Sequence, residues 1–200
     1  MKITKNQILN IIGITIIILS ILRTYILITD STPIHIFWLC NHIPIIIGIA
    51  ILFRSSFVLI AETSLLLIGS LNWSLDFLSK LFFDKYLLGS TSYIFAAFSA
   101  DSGISILSHL SLLPLAIIAI FLIGKPEPKA WQLSIIHMII LIPSSFYFTE
   151  TYNLNCLLEP CISWLPDFAL YTPLLFIVYF TIFVIPVNIL FTKLLRKPKI

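Results

Sequence analysis

Residues 102–123 have the sequence SGISILSHLSLLPLAIIAIFLI, an apolar run without a charged side chain. A helical membrane span needs about 20 consecutive apolar residues, so this stretch is long enough to cross a bilayer. Such runs recur along the chain and predict six spans, at about 8–28, 34–53, 57–79, 102–123, 130–148 and 168–191. They are too long and continuous for the roughly ten-residue alternating strands of an outer-membrane barrel. The predicted fold is therefore an all-α, polytopic membrane protein with six transmembrane helices.

The composition of the whole chain supports this fold class. Of 200 residues, 59% are hydrophobic and only 10% are charged, and the mean hydropathy is +1.07. Soluble globular domains carry about 25% charged residues. Because the six runs leave only short connections, residues 1–200 are predicted to form a single transmembrane helical domain.

Lysine and arginine are unevenly distributed between the two predicted faces. If the N-terminus is cytoplasmic, nine of these residues fall inside, and only Arg23, Lys80 and Lys85 lie toward the outside. Cytoplasmic loops are enriched in Lys and Arg, so both termini are predicted to be cytoplasmic, in a plasma (inner) membrane. The predicted partner of the basic segments is the anionic lipid bilayer. No basic patch interleaved with aromatic residues is present, so no nucleic-acid partner is predicted.

Three ionisable or nucleophilic side chains, Cys40, Asp76 and His109, lie inside three different apolar runs. Such groups are costly at membrane depth and indicate a functional site by default. In the predicted topology all three lie in the outer half of the membrane, with Cys40 and His109 about 10 Å below the interface at a rise of 1.5 Å per residue. These residues predict an outward-facing polar pocket. Its other predicted members are Asn41, His42, Asn72, Trp73, Asn153 and Asn155.

A thiol and an imidazole at one depth are suited to acyl transfer. The imidazole removes the thiol proton and the thiolate attacks a carbonyl carbon, while a carboxylate or amide orients the imidazole. Cys40 is the candidate nucleophile and His109 the candidate general base. Asp76, Asn41 and Asn72 are candidate orienting or polar-pocket residues. A cavity lined by Ile, Leu and Phe would admit a lipid acyl chain, and no cofactor or metal is predicted for this chemistry.

Three short segments resemble known membrane enzymes. Residues 37–42 (FWLCNH) are similar to the tryptophan-containing segment of the androgen-induced fatty-acid-ester hydrolases. They are more similar still to the six-span acyltransferases that act on ether phospholipids and to their bacterial relatives, in which the corresponding residue is a Cys. Residues 106–109 (ILSH) resemble the catalytic-histidine segment of both groups, and residues 153–160 (NLNCLLEP) resemble a bacterial Asn-rich loop.

This resemblance implies a lipid-ester hydrolase or acyltransferase with Cys40 as nucleophile and His109 as its base. The chain departs from the hydrolases in two respects. It lacks their usual pattern downstream of residues 37–42, and it lacks their second histidine near His109.

The other two cysteines, Cys156 and Cys161, share the last predicted outer loop. On an oxidising face they could form a disulfide, and two free thiols at the membrane interface are the alternative. Cys40 has no partner nearby in the sequence and is predicted to be a free thiol.

Each candidate also has a structural interpretation. Cys40 could pack as a small buried hydrophobe, His109 could form a hydrogen bond between helices, and Asp76 could pair with Arg23. Glu62 and His137 are interpreted as structural residues that bond to neighbouring helices.

Two other functional hypotheses remain open from the residues alone. One is a zinc-dependent membrane hydrolase with an activated water, whose candidate ligands are His35, His42, His109 and Asp76. The other is a non-catalytic protein, either a small-solute transporter or an assembly partner of another membrane protein. An inverted repeat, which many transporters contain, is not found in the sequence.

Overall fold

The computed structural model describes residues 3–30, 33–96, 99–147, 153–157 and 170–196. Eight α-helices lie within these ranges: α1 (Lys5–Thr29), α2 (Leu39–Leu52), α3 (Ser56–Phe83), α4 (Ser92–Ala96), α5 (Ala100–Ile123), α6 (Trp131–Tyr147), α7 (Tyr171–Val178) and α8 (Ile185–Arg196). Short 3-10 helices occupy Pro33–Phe37 and Leu154–Cys156, and a π-helical segment at Tyr179–Val184 joins α7 to α8. The prediction of an all-α protein is confirmed.

Within the described ranges, four helices are long and apolar enough to cross a membrane: α1, α3, residues Asp101–Ile123 of α5, and the continuous stretch Tyr171–Arg196. Their outer faces carry exposed aliphatic side chains, including Ile14, Ile18 and Ile21 on α1. Contiguous exposed apolar surface of this kind is rare on soluble monomers and is suited to contact with lipid chains. These features indicate a membrane protein.

Two of the predicted spans are shorter helices. The expected span at 34–53 begins instead as the 3-10 helix Pro33–Phe37, and α2 has 14 residues. At 1.5 Å per residue, α2 is about 21 Å long, less than the roughly 30 Å of a hydrocarbon core. Asn155 stabilises the break, because its Oδ1 accepts from the Leu39 N–H at 2.8 Å and its Nδ2 donates to the Phe37 carbonyl at 3.0 Å. The predicted span at 130–148 corresponds to α6, which has 17 residues.

The core lies where α1, α2, α3 and α5 meet. Its fully buried side chains are mostly aliphatic, and the largest include Leu9, Ile16, Ile43, Ile47, Ile51, Leu59, Ile60, Leu65 and Ile120. Interdigitation of these side chains fixes the rotation of each helix about its axis. That rotation determines which polar residues face each other across the bundle.

The backbones of α1 and α2 approach closely at two glycines. A Cβ atom on Gly48 would lie 2.5 Å from Ile17 Cγ1 and 3.0 Å from the Gly13 carbonyl oxygen, and one on Gly13 would lie 2.8 Å from Leu52 Cδ2. Small residues permit such close packing between membrane helices. The two glycines therefore set the spacing of α1 and α2.

We expect Gly48→Ala to lower the unfolding temperature, because the added methyl group meets the backbone of α1. Overpacking of this kind costs about 1–3 kcal/mol. Gly69→Ala is the matched control, since nothing lies within 4 Å of its Cβ position and alanine favours the helix. Thermal unfolding in detergent micelles, followed by circular dichroism, measures both. Equal unfolding temperatures for the two variants would contradict the close approach.

Candidate functional site

Cys40 and His109 line the same narrow cavity between α1, α2 and α5. The polar side chains around them come from all three helices and are Ser20, Arg23, Asn41, Ser108 and Ser111. The rest of the lining is apolar and consists of Ile16, Leu19, Pro44 and Leu112. Two residues that are 69 positions apart in the sequence thus border one hollow.

The imidazole of His109 has a defined orientation. Its Nδ1 lies 2.8 Å from the Ser105 carbonyl oxygen, which can only accept, so Nδ1 carries the hydrogen of the neutral ring and Nε2 carries the lone pair. The ring is buried and stacks on Trp73, with ring centroids 4.1 Å apart and an angle of 20° between the planes. This tautomer leaves a basic nitrogen free of the backbone, as a general base requires.

Trp73 is itself held from two sides. Its indole N–H donates to the Tyr93 hydroxyl at 3.2 Å, and that hydroxyl lies 3.1 Å from Ser105 Oγ. Phe77 also stacks on the indole, with ring centroids 5.6 Å apart. The predicted pocket residue Trp73 therefore positions His109 by stacking.

Arg23, which is not among the predicted site residues, places a cation at the cavity. Its guanidinium forms a salt bridge with the Asp101 carboxylate and donates to the Asp101 carbonyl oxygen at 3.3 Å. Its Nε donates to Asn41 Oδ1 at 3.5 Å. The alternative pairing of Arg23 with Asp76 is therefore wrong. An arginine in the apolar run of α1 was the available signal, because a buried guanidinium needs partners on other helices.

Cys40 is a free thiol, and its sulfur lies 3.9 Å from Asn41 Oδ1. The Asn41 amide also donates to the His35 carbonyl oxygen at 2.7 Å. Asn41 thus connects the thiol-bearing turn of α2 both to Arg23 and to the preceding 3-10 helix.

Asp76 lies elsewhere than predicted. Its carboxylate accepts six hydrogen bonds from the loop that follows α3: backbone N–H groups of Leu87, Leu88, Gly89 and Thr91 and the hydroxyls of Ser90 and Thr91. The distances range from 2.7 to 3.2 Å. Asp76 is therefore an anchor for residues 87–91, and it is not among the residues that line the Cys40–His109 cavity. The Ser105 carbonyl and Trp73 orient His109 instead.

The remaining predicted pocket residues lie apart from the cavity. Asn72 is exposed, Asn155 caps α2 as described above, and the Asn153 carbonyl accepts from the Cys156 N–H at 3.1 Å. His42 faces α6, where its Nε2 lies 3.0 Å from Nε2 of His137. A rotation of roughly 200° separates His42 from Cys40 on α2, because successive helical residues are 100° apart.

Of the two predicted loop cysteines, Cys156 and Cys161, the structure describes only Cys156. Cys156 is disulfide-bonded. Its predicted partner, Cys161, lies outside the described residues.

The ligands of the zinc hypothesis are not brought together. Three of these residues have different partners. His109 contacts Ser105 and Trp73, His42 contacts His137, and Asp76 binds the 87–91 loop. Among the residues that the structure describes, no group of three or more His, Cys, Asp or Glu side chains could hold a metal ion.

Comparison with known proteins found no matching family model, no matching curated protein and no matching solved structure. The resemblance to the ester hydrolases and acyltransferases therefore stays a prediction.

We expect Asp76→Asn to loosen residues 87–91, because the amide replaces an acceptor oxygen with a donor that faces other donors. Loss of charge-assisted hydrogen bonds at a buried carboxylate costs about 3 kcal/mol. Asp84→Asn is the control, since its side chain is 91% exposed and pairs only with Lys80 among the described residues. Limited proteolysis read by mass spectrometry should detect faster cleavage near residues 85–92 in Asp76→Asn alone. Equal protection in both variants would contradict the anchoring role.

Proposed function

We propose that this chain is an integral membrane enzyme that hydrolyses or transfers the acyl groups of lipid esters. Cys40 is the nucleophile and His109 the general base. The observation that carries the proposal is that the thiol and the imidazole, on separate helices, border one cavity together with Arg23. A nucleophile, a base and a cation in one apolar hollow match the needs of acyl transfer.

The chemistry runs in two halves. Nε2 of His109 takes the proton of the Cys40 thiol, and the thiolate attacks the ester carbonyl carbon to form a tetrahedral oxyanion. The carbonyl re-forms as the C–O bond to the alcohol breaks, and the alcohol oxygen takes the proton from His109. Water or a second alcohol, deprotonated in turn by His109, then attacks the thioester and releases Cys40 as a thiol.

Arg23 supplies the positive charge for both ionised species. Its guanidinium stays protonated in proteins, and a neighbouring cation favours a thiolate over a thiol. The same charge stabilises the oxyanion, and removing such a donor costs about 10²–10³ in rate in well-studied cases. Asp101 holds the guanidinium in place through the salt bridge.

The surroundings favour a lipid substrate. The apolar part of the cavity lining is formed by α1, α2 and α5, two of which are long enough to cross a bilayer. We assign the chain six crossings, with α2 and α6 as the short ones, both termini in the cytoplasm and the location in the plasma (inner) membrane. The cavity then lies in the outer half, where lipid esters are found just below the headgroups.

The decisive experiment is acylation by the p-nitrophenyl ester of a long-chain fatty acid, with the purified chain in detergent micelles. We expect a thioester on Cys40, detected by mass spectrometry and removed by neutral hydroxylamine, and no such adduct in Cys40→Ala. His109→Ala should slow acylation by about 10²–10⁴-fold, which is the usual contribution of a general base, and added imidazole should restore part of the rate.

His35→Gln is the matched control, because His35 is absent from the cavity lining and the substitution keeps the backbone carbonyl to which the Asn41 amide donates. It should acylate at the wild-type rate. Ester turnover in Cys40→Ala at the wild-type rate, or acylation of Cys40 that is indifferent to His109→Ala, would refute the proposal.

We expect Arg23→Gln to slow acylation about 100-fold, because it removes the charge that stabilises the oxyanion. The single change also leaves Asp101 without its cation, so the double variant Arg23→Gln, Asp101→Asn separates catalysis from folding. It should unfold near the wild-type temperature and remain slow in acylation. Recovery of the full rate in the double variant would assign Arg23 a purely structural role.

A further inference from the structure

A second polar cluster lies on the opposite side of α2 from the cavity. Glu62 of α3, His137 of α6 and His42 of α2 form one continuous chain of hydrogen bonds. Glu62 Oε2 lies 2.8 Å from His137 Nδ1, His137 Nε2 lies 3.0 Å from His42 Nε2, and His42 Nδ1 lies 3.1 Å from the Ile36 carbonyl oxygen. The chain begins at a carboxylate and ends at a carbonyl, so both ends are acceptors.

The number of hydrogens in this chain can be counted. Three contacts need three hydrogens, one between each pair of heavy atoms. Two neutral imidazoles carry one ring hydrogen each, and an ionised carboxylate carries none. The complete chain therefore contains one hydrogen more than the neutral rings and the carboxylate supply.

We infer that Glu62, His137 and His42 form a proton-binding site that holds one proton in the folded chain. With this proton the cluster has no net charge, either as a carboxylate beside an imidazolium or as a carboxylic acid beside neutral rings. Both forms complete all three hydrogen bonds.

Loss of the proton breaks one contact whichever way the rings are protonated. If His42 keeps its hydrogen on Nδ1, two Nε2 lone pairs face each other across 3.0 Å. If the hydrogen moves to Nε2, the Nδ1 lone pair faces the Ile36 carbonyl. Because the three contacts join α3, α6, α2 and the 3-10 helix, the bound proton stabilises the packing of all four elements.

Two members of the cluster are largely removed from solvent. The Glu62 side chain is 3% exposed and that of His137 is 15% exposed. On the same face of the bundle, Ser134 of α6 donates to the Ala61 carbonyl at 2.8 Å and fixes α6 against α3.

Other titratable groups lie on the elements that form the cluster or pack against it. The hydroxyl of Tyr179, in the π-helical segment, donates to the Leu65 carbonyl of α3. Cys40 of α2 lines the other cavity, and His35 belongs to the 3-10 helix. Farther along α3, Asp76 binds the 87–91 loop and Lys80 pairs with Asp84, and Tyr147 is the last residue of α6. None of these groups belongs to the hydrogen-bonded chain of Glu62, His137 and His42, so the proton count concerns those three residues alone.

Glu62→Gln provides a sharp test, because an amide N–H can supply the third hydrogen. Its NH₂ group donates to His137 Nδ1, His137 Nε2–H donates to His42, and His42 Nδ1–H donates to Ile36. All three bonds then form with two neutral rings and no added proton. The variant should keep the packing and lose the proton.

The first measurement is NMR of chain labelled with ¹⁵N in histidine and ¹³C in glutamate, in detergent micelles at pH 8. The wild-type spectrum should show a doubly protonated His137, a doubly protonated His42 or a protonated Glu62, and each of these results supports the site. Glu62→Gln should show neutral imidazoles only. Neutral rings at both His137 and His42 beside an ionised Glu62 in the wild-type chain would overturn the inference, even if Glu62→Gln fails to fold.

The second measurement is the unfolding temperature between pH 7 and 8.5. Free imidazole loses its proton near pH 6.5, so in this window the folded chain binds one proton more than the unfolded chain, and stability falls as pH rises. One proton corresponds to a fall of about 4 °C per pH unit for a chain of this size.

Glu62→Gln should remove that slope, whereas the control Glu127→Gln, whose carboxylate pairs with Lys125, should retain it. Equal slopes in wild type and Glu62→Gln would overturn the inference. One equivalent of zinc that copurifies with the chain and is lost in His137→Gln would also overturn it, since a metal ion would then occupy the position of the proton.

Discussion

The charged side chains that are buried in the bundle depend on partners within the protein, because the membrane interior supplies no water to solvate them. Arg23 forms a salt bridge with Asp101, and Glu62 contacts the His137 imidazole. The Asp76 carboxylate accepts hydrogen bonds from the 87–91 loop. The Arg23–Asp101 and Glu62–His137 contacts join pairs of helices and add directional polar contacts to the aliphatic packing of the core. The few charged residues of the chain thus specify which helical faces meet.

The short helix α2 separates two kinds of chemistry. One face presents Cys40 to a cavity that it shares with His109 and Arg23, and the other presents His42 to the histidine and carboxylate of α6 and α3. The two faces have different chemical requirements. The proposed acyl transfer in the cavity needs a basic nitrogen without a backbone partner, whereas the proton site inferred at His42 needs each contact completed by a hydrogen.

The apolar runs predicted the long helices well, since 8–28, 57–79 and 102–123 correspond to α1, α3 and α5. Matching depth also predicted that Cys40 and His109 belong together. The break before α2 was not predictable, because the amide that stabilises it lies 116 residues away in the sequence. The partners of Asp76 and His42 were missed for a related reason. Hydrophobic periodicity indicates which face of a helix is buried, but not which neighbouring helix or loop covers that face.

The side-chain amide of Asn155 bonds to the Phe37 carbonyl and to the Leu39 N–H, immediately before Cys40. One amide in the 153–157 segment therefore fixes both the direction in which the chain enters α2 and the height of the thiol along its axis. Asn155 also precedes Cys156, which is covalently cross-linked. The 153–157 segment and the start of α2 are thus coupled, and a displacement of that segment would be transmitted to the turn that carries Cys40 through two hydrogen bonds.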